Sequence, residues 1–209
     1  MEFYKVVLPF ALALFIRYEY GLPEHPPNLS KVLLKILPVL ILMAVILQNQ
    51  RASDFSLRLT AGLGFAAAGD LCQLYKDQYF NHGVICFGIA YCLFAAAFGL
   101  RSDHLFLGCL TCLVALAIYY FVSPGVRGLS RPAAIAYTLP ILIMLWRAMA
   151  WWRISQHNSS LSALFGAITL VISNTVLSTH LFQFPVPHSD FLVSSSYYMG
   201  QLLIAMSAV

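Results

Sequence analysis

Long apolar runs, each about the length of a membrane-spanning helix, alternate along this chain with short polar or proline-containing breaks. A helix needs about 20 mostly apolar residues to cross a bilayer. Eight runs approach that length, so we predict an all-α fold, a polytopic membrane bundle of eight transmembrane helices. We expect one integral-membrane domain over residues 1–209, in which short polar breaks, such as Lys76–Asn81, separate the spans. The predicted spans are Phe3–Tyr20, Lys31–Leu47, Phe55–Tyr75, His82–Leu100, His104–Val122, Pro132–Trp152, Leu161–Phe182 and Phe191–Ala208.

Composition supports the membrane assignment. Hydrophobic residues make up 60% of the 209 residues and charged residues 10%, whereas a soluble domain carries about 25% charged residues. The net charge of +4 comes from scattered Lys and Arg residues and not from a basic run. A nucleic-acid partner is therefore not expected, because such partners need a clustered basic face.

Asp70 is the one acidic residue that lies well within a predicted span. An ionisable side chain at the centre of a membrane helix costs about 2.5–3.5 kcal/mol, and such residues face the bundle interior or a wet cavity. Gln73 and Asp77, at i+3 and i+7, would share its helical face. Asp70 is thus a candidate functional residue. The alternative is a hydrogen bond that only joins two helices.

Two further polar groups interrupt the last two spans. The seventh span contains Ser173 and Asn174, and Asn174 is the costlier of the two in lipid. The eighth span carries a polar stripe with spacing i, i+3, i+4, i+7, formed by Ser194, Tyr197, Tyr198 and Gln201. Both groups are compatible with a cavity lining and with an interhelical hydrogen-bonded seam.

Several short motifs, in order along nearly the whole chain, carry a family resemblance. They are Gly69-Asp70, YFNHG at Tyr79–Gly83, AAAFG at Ala95–Gly99, LWRAMA at Leu145–Ala150, FPVPHS at Phe184–Ser189 and SYYMGQLLIAMSAV at Ser196–Val209. Each motif is weak alone, but the ordered set is specific. The chain resembles the lysoplasmalogenase family of eight-span, YhhN-like membrane proteins.

The resemblance implies an activity, a substrate and a location. Such enzymes hydrolyse the vinyl-ether bond of lysoplasmalogens to a fatty aldehyde and a glycerophospho-ethanolamine or -choline. The partners would then be a lysophospholipid substrate and membrane lipids, without a metal or other cofactor, and the location would be the endoplasmic reticulum. Cleavage of a vinyl ether begins with protonation of a carbon atom, and a carboxyl group removed from water favours the protonated form that this step needs. Asp70 is therefore the expected general acid.

Two positions depart from the family pattern. The family carries a second acid after the serine in the seventh span, where this chain has Ser173-Asn174, and a histidine in the fourth span, near Tyr91 here. Asn174 can orient a water molecule but cannot accept its proton. An introduced substitution and natural divergence both explain the asparagine, and the sequence does not choose between them.

The remaining site assignments concern substrate binding. We expect Tyr91, Ser173, Tyr197, Tyr198 and Gln201 to line the site, with Asn174 as the partner of Asp70 in catalysis. Lys35 and Arg147 are candidates to bind the substrate phosphate by charge-assisted hydrogen bonds. Their alternative role is to extend toward the lipid head groups.

Two other classes of function fit the same residues. A non-catalytic lysolipid-binding or regulatory protein would keep the cavity and lack the chemistry. A small transporter or channel would use Asp70 as a proton or ion relay, but Asp77 is the only other charge that continues from Asp70.

Overall fold

The computed structural model describes residues 4–20, 29–48, 53–100, 104–125 and 130–209, and this part of the chain contains helices and no strand. It confirms the predicted all-α bundle of eight helices. Phe3, the predicted start of the first span, lies outside the described residues. The helices are α1 (Tyr4–Tyr20), α2 (Leu29–Gln48), α3 (Asp54–Leu74), α4 (Lys76–Ala97), α5 (Leu105–Val122), α6 (Ser130–Ser155), α7 (Asn158–Phe182) and α8 (Ser189–Met206).

The predicted break at Lys76–Asn81 is wrong. Helix α4 begins at Lys76, and only Tyr75 separates it from α3. The chain bends inside this segment, because Tyr79 has non-helical angles (φ −119°, ψ 18°). Gln78 to His82 are exposed, and exposed helical turns accommodate polar residues that would be unfavourable in lipid. Asp77 consequently belongs to α4 and not to α3.

The distribution of polar and apolar side chains is that of an integral membrane protein. Within the described residues, three helical segments are long and apolar enough to cross a membrane: Gln78–Ala97, Leu105–Gly125 and Asn158–Phe182. Large apolar side chains are exposed, as at Phe106 and Tyr120 of α5, while Asp70, Arg147 and Gln201 are buried. Membrane bundles keep polar groups inside and present apolar side chains to lipid.

Helices α3 and α4 pack as a close antiparallel pair. A Cβ atom at Gly62 would lie 2.5 Å from the Phe94 ring, and one at Gly69 would lie 2.9 Å from the Phe87 ring. These two contacts run in opposite directions along the two helices, which establishes the antiparallel arrangement. Only glycine lets the aromatic rings of α4 reach the backbone of α3 at these positions.

Helices α7 and α8 form a second close antiparallel pair. A Cβ atom at Gly166 would lie 2.8 Å from Cγ1 of Ile204, and one at Gly200 would lie 2.7 Å from Cγ of Leu170. The two helices also exchange polar contacts, since Ser173 Oγ donates to the Val193 carbonyl at 2.9 Å. Helix α8 packs against α2 and α3 as well, so it joins the α7–α8 pair to the α3–α4 pair.

We expect Gly166→Ala to destabilise the protein by about 1–3 kcal/mol, because the new methyl group overpacks the α7–α8 interface. It would also lie 3.0 Å from the Gly200 carbonyl oxygen, a backbone atom that cannot rotate away. Thermal unfolding of the detergent-solubilised protein measures the effect. Gly64→Ala is the matched control, since its Cβ would meet only Met43 Cε, at 3.7 Å. Equal melting temperatures for the two variants would contradict this packing.

Candidate functional site

Asp70 lies in α3, four residues before the helix ends at Leu74, or about 6 Å along the helix axis. Its side chain is 2% exposed, so the carboxyl group depends on protein partners. The Tyr197 hydroxyl of α8 donates a hydrogen bond to Oδ2 of Asp70 at 3.0 Å. This bond fixes the carboxyl orientation and joins α3 to α8.

Phe87 of α4 holds this pair in place. Its ring contacts the Tyr197 ring edge to face, with centroids 6.0 Å apart and an interplanar angle of 87°. The same ring approaches the backbone at Gly69, the residue before Asp70. Phe87 was not among the residues predicted from the sequence. The Gly69-Asp70 dipeptide was the available signal, because glycine next to a buried acid indicates a close neighbour.

Tyr198 connects the site to a cation. Its hydroxyl donates to the Lys35 backbone carbonyl of α2 at 2.9 Å, and its ring lies against Tyr197 with centroids 5.0 Å apart. Lys35 Nζ donates to Oε1 of Gln73, which is exposed, at 3.4 Å. Gln73 is three residues after Asp70 on α3, so the ammonium group lies near the helix end that carries Asp70. We call this end of the bundle, where α3 meets α4 at Tyr75, the Tyr75 end.

Asn174 of α7 reaches the same region through Tyr91 of α4. Asn174 Nδ2 donates to the Tyr91 hydroxyl oxygen at 2.8 Å and to the Leu170 carbonyl at 2.8 Å. Tyr91 is buried and lies one helical turn after Phe87, whose ring contacts Tyr197, so both residues are on the face of α4 that meets this site. Asp70, Tyr91, Asn174 and Tyr197 therefore form one group, which we call the polar cluster.

Gln201 is also buried on α8, one helical turn after Tyr197. Within the described residues, neither its Nε2 nor its Oε1 has a hydrogen-bond partner. Ser173 is buried too, but its hydroxyl is used in the α7–α8 contact with Val193.

Arg147 lies away from the polar cluster. Its Nε donates to the Gly99 carbonyl just beyond the end of α4, and its guanidinium lies 5.4 Å from the Trp146 ring centroid. Helix α4 extends about 15 Å from Phe87, which contacts Tyr197, to its last residue Ala97. The structure thus places Lys35 at the Tyr75 end, beside Gln73, and Arg147 at the opposite end of the bundle. This placement favours a structural role for Arg147 and does not support the phosphate contact predicted for it.

In the described part of the chain, no group of three or more His, Cys, Asp and Glu side chains is arranged to hold a metal ion. The chemistry available to the polar cluster is that of a carboxyl group, two phenols and an amide. These groups can donate, accept and relay protons.

Comparison with known proteins identifies the family. The model of the YhhN family matches residues 30–208. The chain belongs to the YhhN family. This result confirms the resemblance found in the sequence. It also accounts for the position of the matching motifs, which extend from α3 to the end of α8.

Several relatives match over nearly the whole chain. Lysoplasmalogenase TMEM86A from Bos taurus is 33% identical, over 97% of this chain and 88% of that protein, and the Homo sapiens TMEM86A is 32% identical with the same coverage. Lysoplasmalogenase TMEM86B from Sus scrofa is 31% identical, over 97% of this chain and 86% of that protein. No solved structure matches the chain.

We expect Tyr197→Phe to lower the stability by about 1–3 kcal/mol, because it removes one hydrogen-bond donor to Asp70 and leaves a buried carboxyl oxygen less well satisfied. Thermal unfolding in detergent measures the loss. The control is Tyr120→Phe, whose side chain is 83% exposed on α5. If Tyr197→Phe melts no lower than this control, the hydrogen bond does not support the fold.

Proposed function

We propose that the protein hydrolyses the vinyl-ether bond of lysoplasmalogens, with Asp70 as its general acid. The observation that carries the proposal is the buried Asp70 carboxyl, held by Tyr197 one turn from a helix end. The membership of a family whose relatives are named lysoplasmalogenases supports it. The products would be a fatty aldehyde and a glycerophospho-ethanolamine or -choline.

The reaction needs one proton donor that can later accept a proton. Asp70 transfers its proton to the β-carbon of the vinyl ether, and the C=C electron pair forms the new C–H bond and leaves an oxocarbenium ion. A water oxygen then bonds to the α-carbon and loses a proton, which restores the Asp70 carboxyl. The hemiacetal collapses with cleavage of its C–O bond to glycerol, giving aldehyde and alcohol. One water molecule is consumed and no proton is gained or lost.

The neighbours of Asp70 fit these two roles. The Tyr197 hydroxyl donates to Oδ2 and would stabilise the carboxylate that remains after proton transfer. That carboxylate would also lie beside the oxocarbenium ion and stabilise its charge. Asn174 would act through the Tyr91 hydroxyl, since it donates to that oxygen and leaves the phenolic hydrogen for another acceptor.

The position of Asp70 along α3 matches the position of the reactive bond in the lipid. In a lysoplasmalogen the vinyl ether joins the glycerol to the hydrocarbon chain, so the reactive bond lies just below the head group. Asp70 lies about 6 Å from the end of α3, and Lys35 lies beside Gln73 at the same end. Lys35 would bind the phosphate while the alkenyl chain extends into the bundle.

We also propose that the protein is an integral membrane enzyme of the endoplasmic reticulum with a lysophospholipid substrate.

We expect Asp70→Asn to lower the rate of aldehyde release from a lysoplasmalogen by about 100-fold or more, because general acid catalysis contributes 10²–10⁴-fold. The assay uses purified protein in detergent and measures fatty aldehyde. Asp190→Asn, which changes an exposed acid in the first turn of α8, is the matched control. Wild-type rates in the Asp70→Asn variant, with the fold intact, would exclude Asp70 as the acid.

A second candidate function is a non-catalytic lysolipid-binding protein of the same fold, and the amide at Asn174 favours it. The Asn174→Asp variant distinguishes the two. We expect the wild type to release aldehyde and Asn174→Asp to increase kcat several-fold, because a carboxylate can accept a proton and an amide cannot. The control is Thr175→Val on the same helix, because within the described residues the Thr175 hydroxyl donates only to the Val171 carbonyl. Lysolipid binding without aldehyde in either form would establish the second function.

A further inference from the structure

Gln201 is the least satisfied buried polar side chain in the described part of the chain. It is fully buried, and neither atom of its amide forms a hydrogen bond there. An apolar side chain of the same shape would be more stable at such a position, because an unpaired buried donor or acceptor keeps its full desolvation penalty. A buried amide of this kind therefore indicates a missing partner.

The position of Gln201 directs this unpaired amide toward the proposed substrate site. It follows Tyr198 by three residues and Tyr197 by four, so all three lie on one face of α8. Side chains in a helix tilt toward its N terminus, so Gln201 covers the turn that carries the two tyrosines. Tyr197 binds Asp70, so the face of α8 that carries Gln201 is the face that meets Asp70.

The chemistry of the amide narrows the class of ligand. Oε1 only accepts and Nε2 only donates, so one ligand atom satisfies both when it donates and accepts at once. A hydroxyl oxygen does so. A phosphate or ether oxygen would pair with Nε2 and leave Oε1 unpaired, and a hydrocarbon chain would pair with neither.

We propose that Gln201 binds a hydroxyl group next to Asp70, supplied by the hydrolytic water or by the free glycerol hydroxyl of the lysolipid. This proposal rests on the function proposed above. The ligand hydroxyl would supply the hydrogen-bond partner that the buried Gln201 amide lacks within the described residues. Water held there would be directed at the α-carbon of the oxocarbenium ion. The glycerol hydroxyl held there would make the site select lysolipids over lipids acylated at that oxygen.

The test compares the full-length wild type with Gln201→Met, which keeps the length of the side chain and removes its hydrogen bonds. Leu202→Met is the matched control at the neighbouring buried position. We expect Gln201→Met to melt at a higher temperature than the wild type in lipid-free detergent. We also expect it to lose about tenfold or more in kcat/KM for lysoplasmalogen, because one well-placed hydrogen bond is worth about tenfold. Leu202→Met should neither raise the melting temperature nor lower kcat/KM tenfold.

Two measurements distinguish the sources of the hydroxyl. If Gln201 holds the water, added methanol will trap more of the oxocarbenium ion as methyl acetal in Gln201→Met than in the wild type. If it holds the glycerol hydroxyl, the wild type will bind a non-cleavable 1-O-alkyl lysophospholipid more tightly than its 2-O-methyl ether, and Gln201→Met will bind the two equally.

The binding measurement requires no catalysis, so it separates this proposal from the proposed function. A wild type that discriminates between the two ethers but releases no aldehyde would contradict the hydrolase function and support hydroxyl binding. The Gln201 proposal alone would be overturned if the wild type is active and Gln201→Met behaves as the wild type in both measurements. That is, the variant would trap the same fraction of the ion with methanol and show the same difference in affinity between the two lipids.

Discussion

The burial of one carboxyl group constrains the rest of this structure. Lipid offers no hydrogen bonds, so a carboxyl group inside a membrane bundle must find its partners on other helices. Tyr197 supplies one of them from α8, which is distant in the chain. Helix α8 must therefore pack against α3 in one register, and the ring contacts of Phe87 and Tyr198 with Tyr197 maintain that register.

Glycines make this arrangement sterically possible. Gly69 lets the Phe87 ring reach the α3 backbone beside Asp70, and Gly166 and Gly200 let α7 and α8 approach closely. Because lipid tails are as apolar as leucine, close packing and hydrogen bonds hold membrane helices together in place of the hydrophobic effect. The polar cluster thus depends on close packing, because only short interhelical distances let its hydrogen bonds form.

The two ends of the bundle use their polar residues differently. At the end of α4, Arg58 donates to the Ala96 carbonyl at 2.8 Å and Arg147 donates to the Gly99 carbonyl. Both cations lie where the helix dipole and the unpaired carbonyl groups favour positive charge. At the Tyr75 end, Lys35 contacts the side chain of Gln73 instead.

The sequence alone determined the class of the fold and its most informative residues. Apolar runs of spanning length predict eight helices, and Asp70 and Asn174 stand out because lipid penalises polar side chains whatever their neighbours. The sequence could not identify the hydrogen-bond partners of these two residues. The Asn174–Tyr91 bond joins residues 83 positions apart, and the Asp70–Tyr197 bond joins residues 127 apart. Helical periodicity gives the face on which a side chain lies, but only the packing of helices decides what that face meets. The same limit explains Arg147, whose motif suggested a substrate contact before the fold placed it at the far end of α4. It also explains the predicted break at Lys76–Asn81, where the exposed polar residues Gln78 and Asn81 lie in a helix.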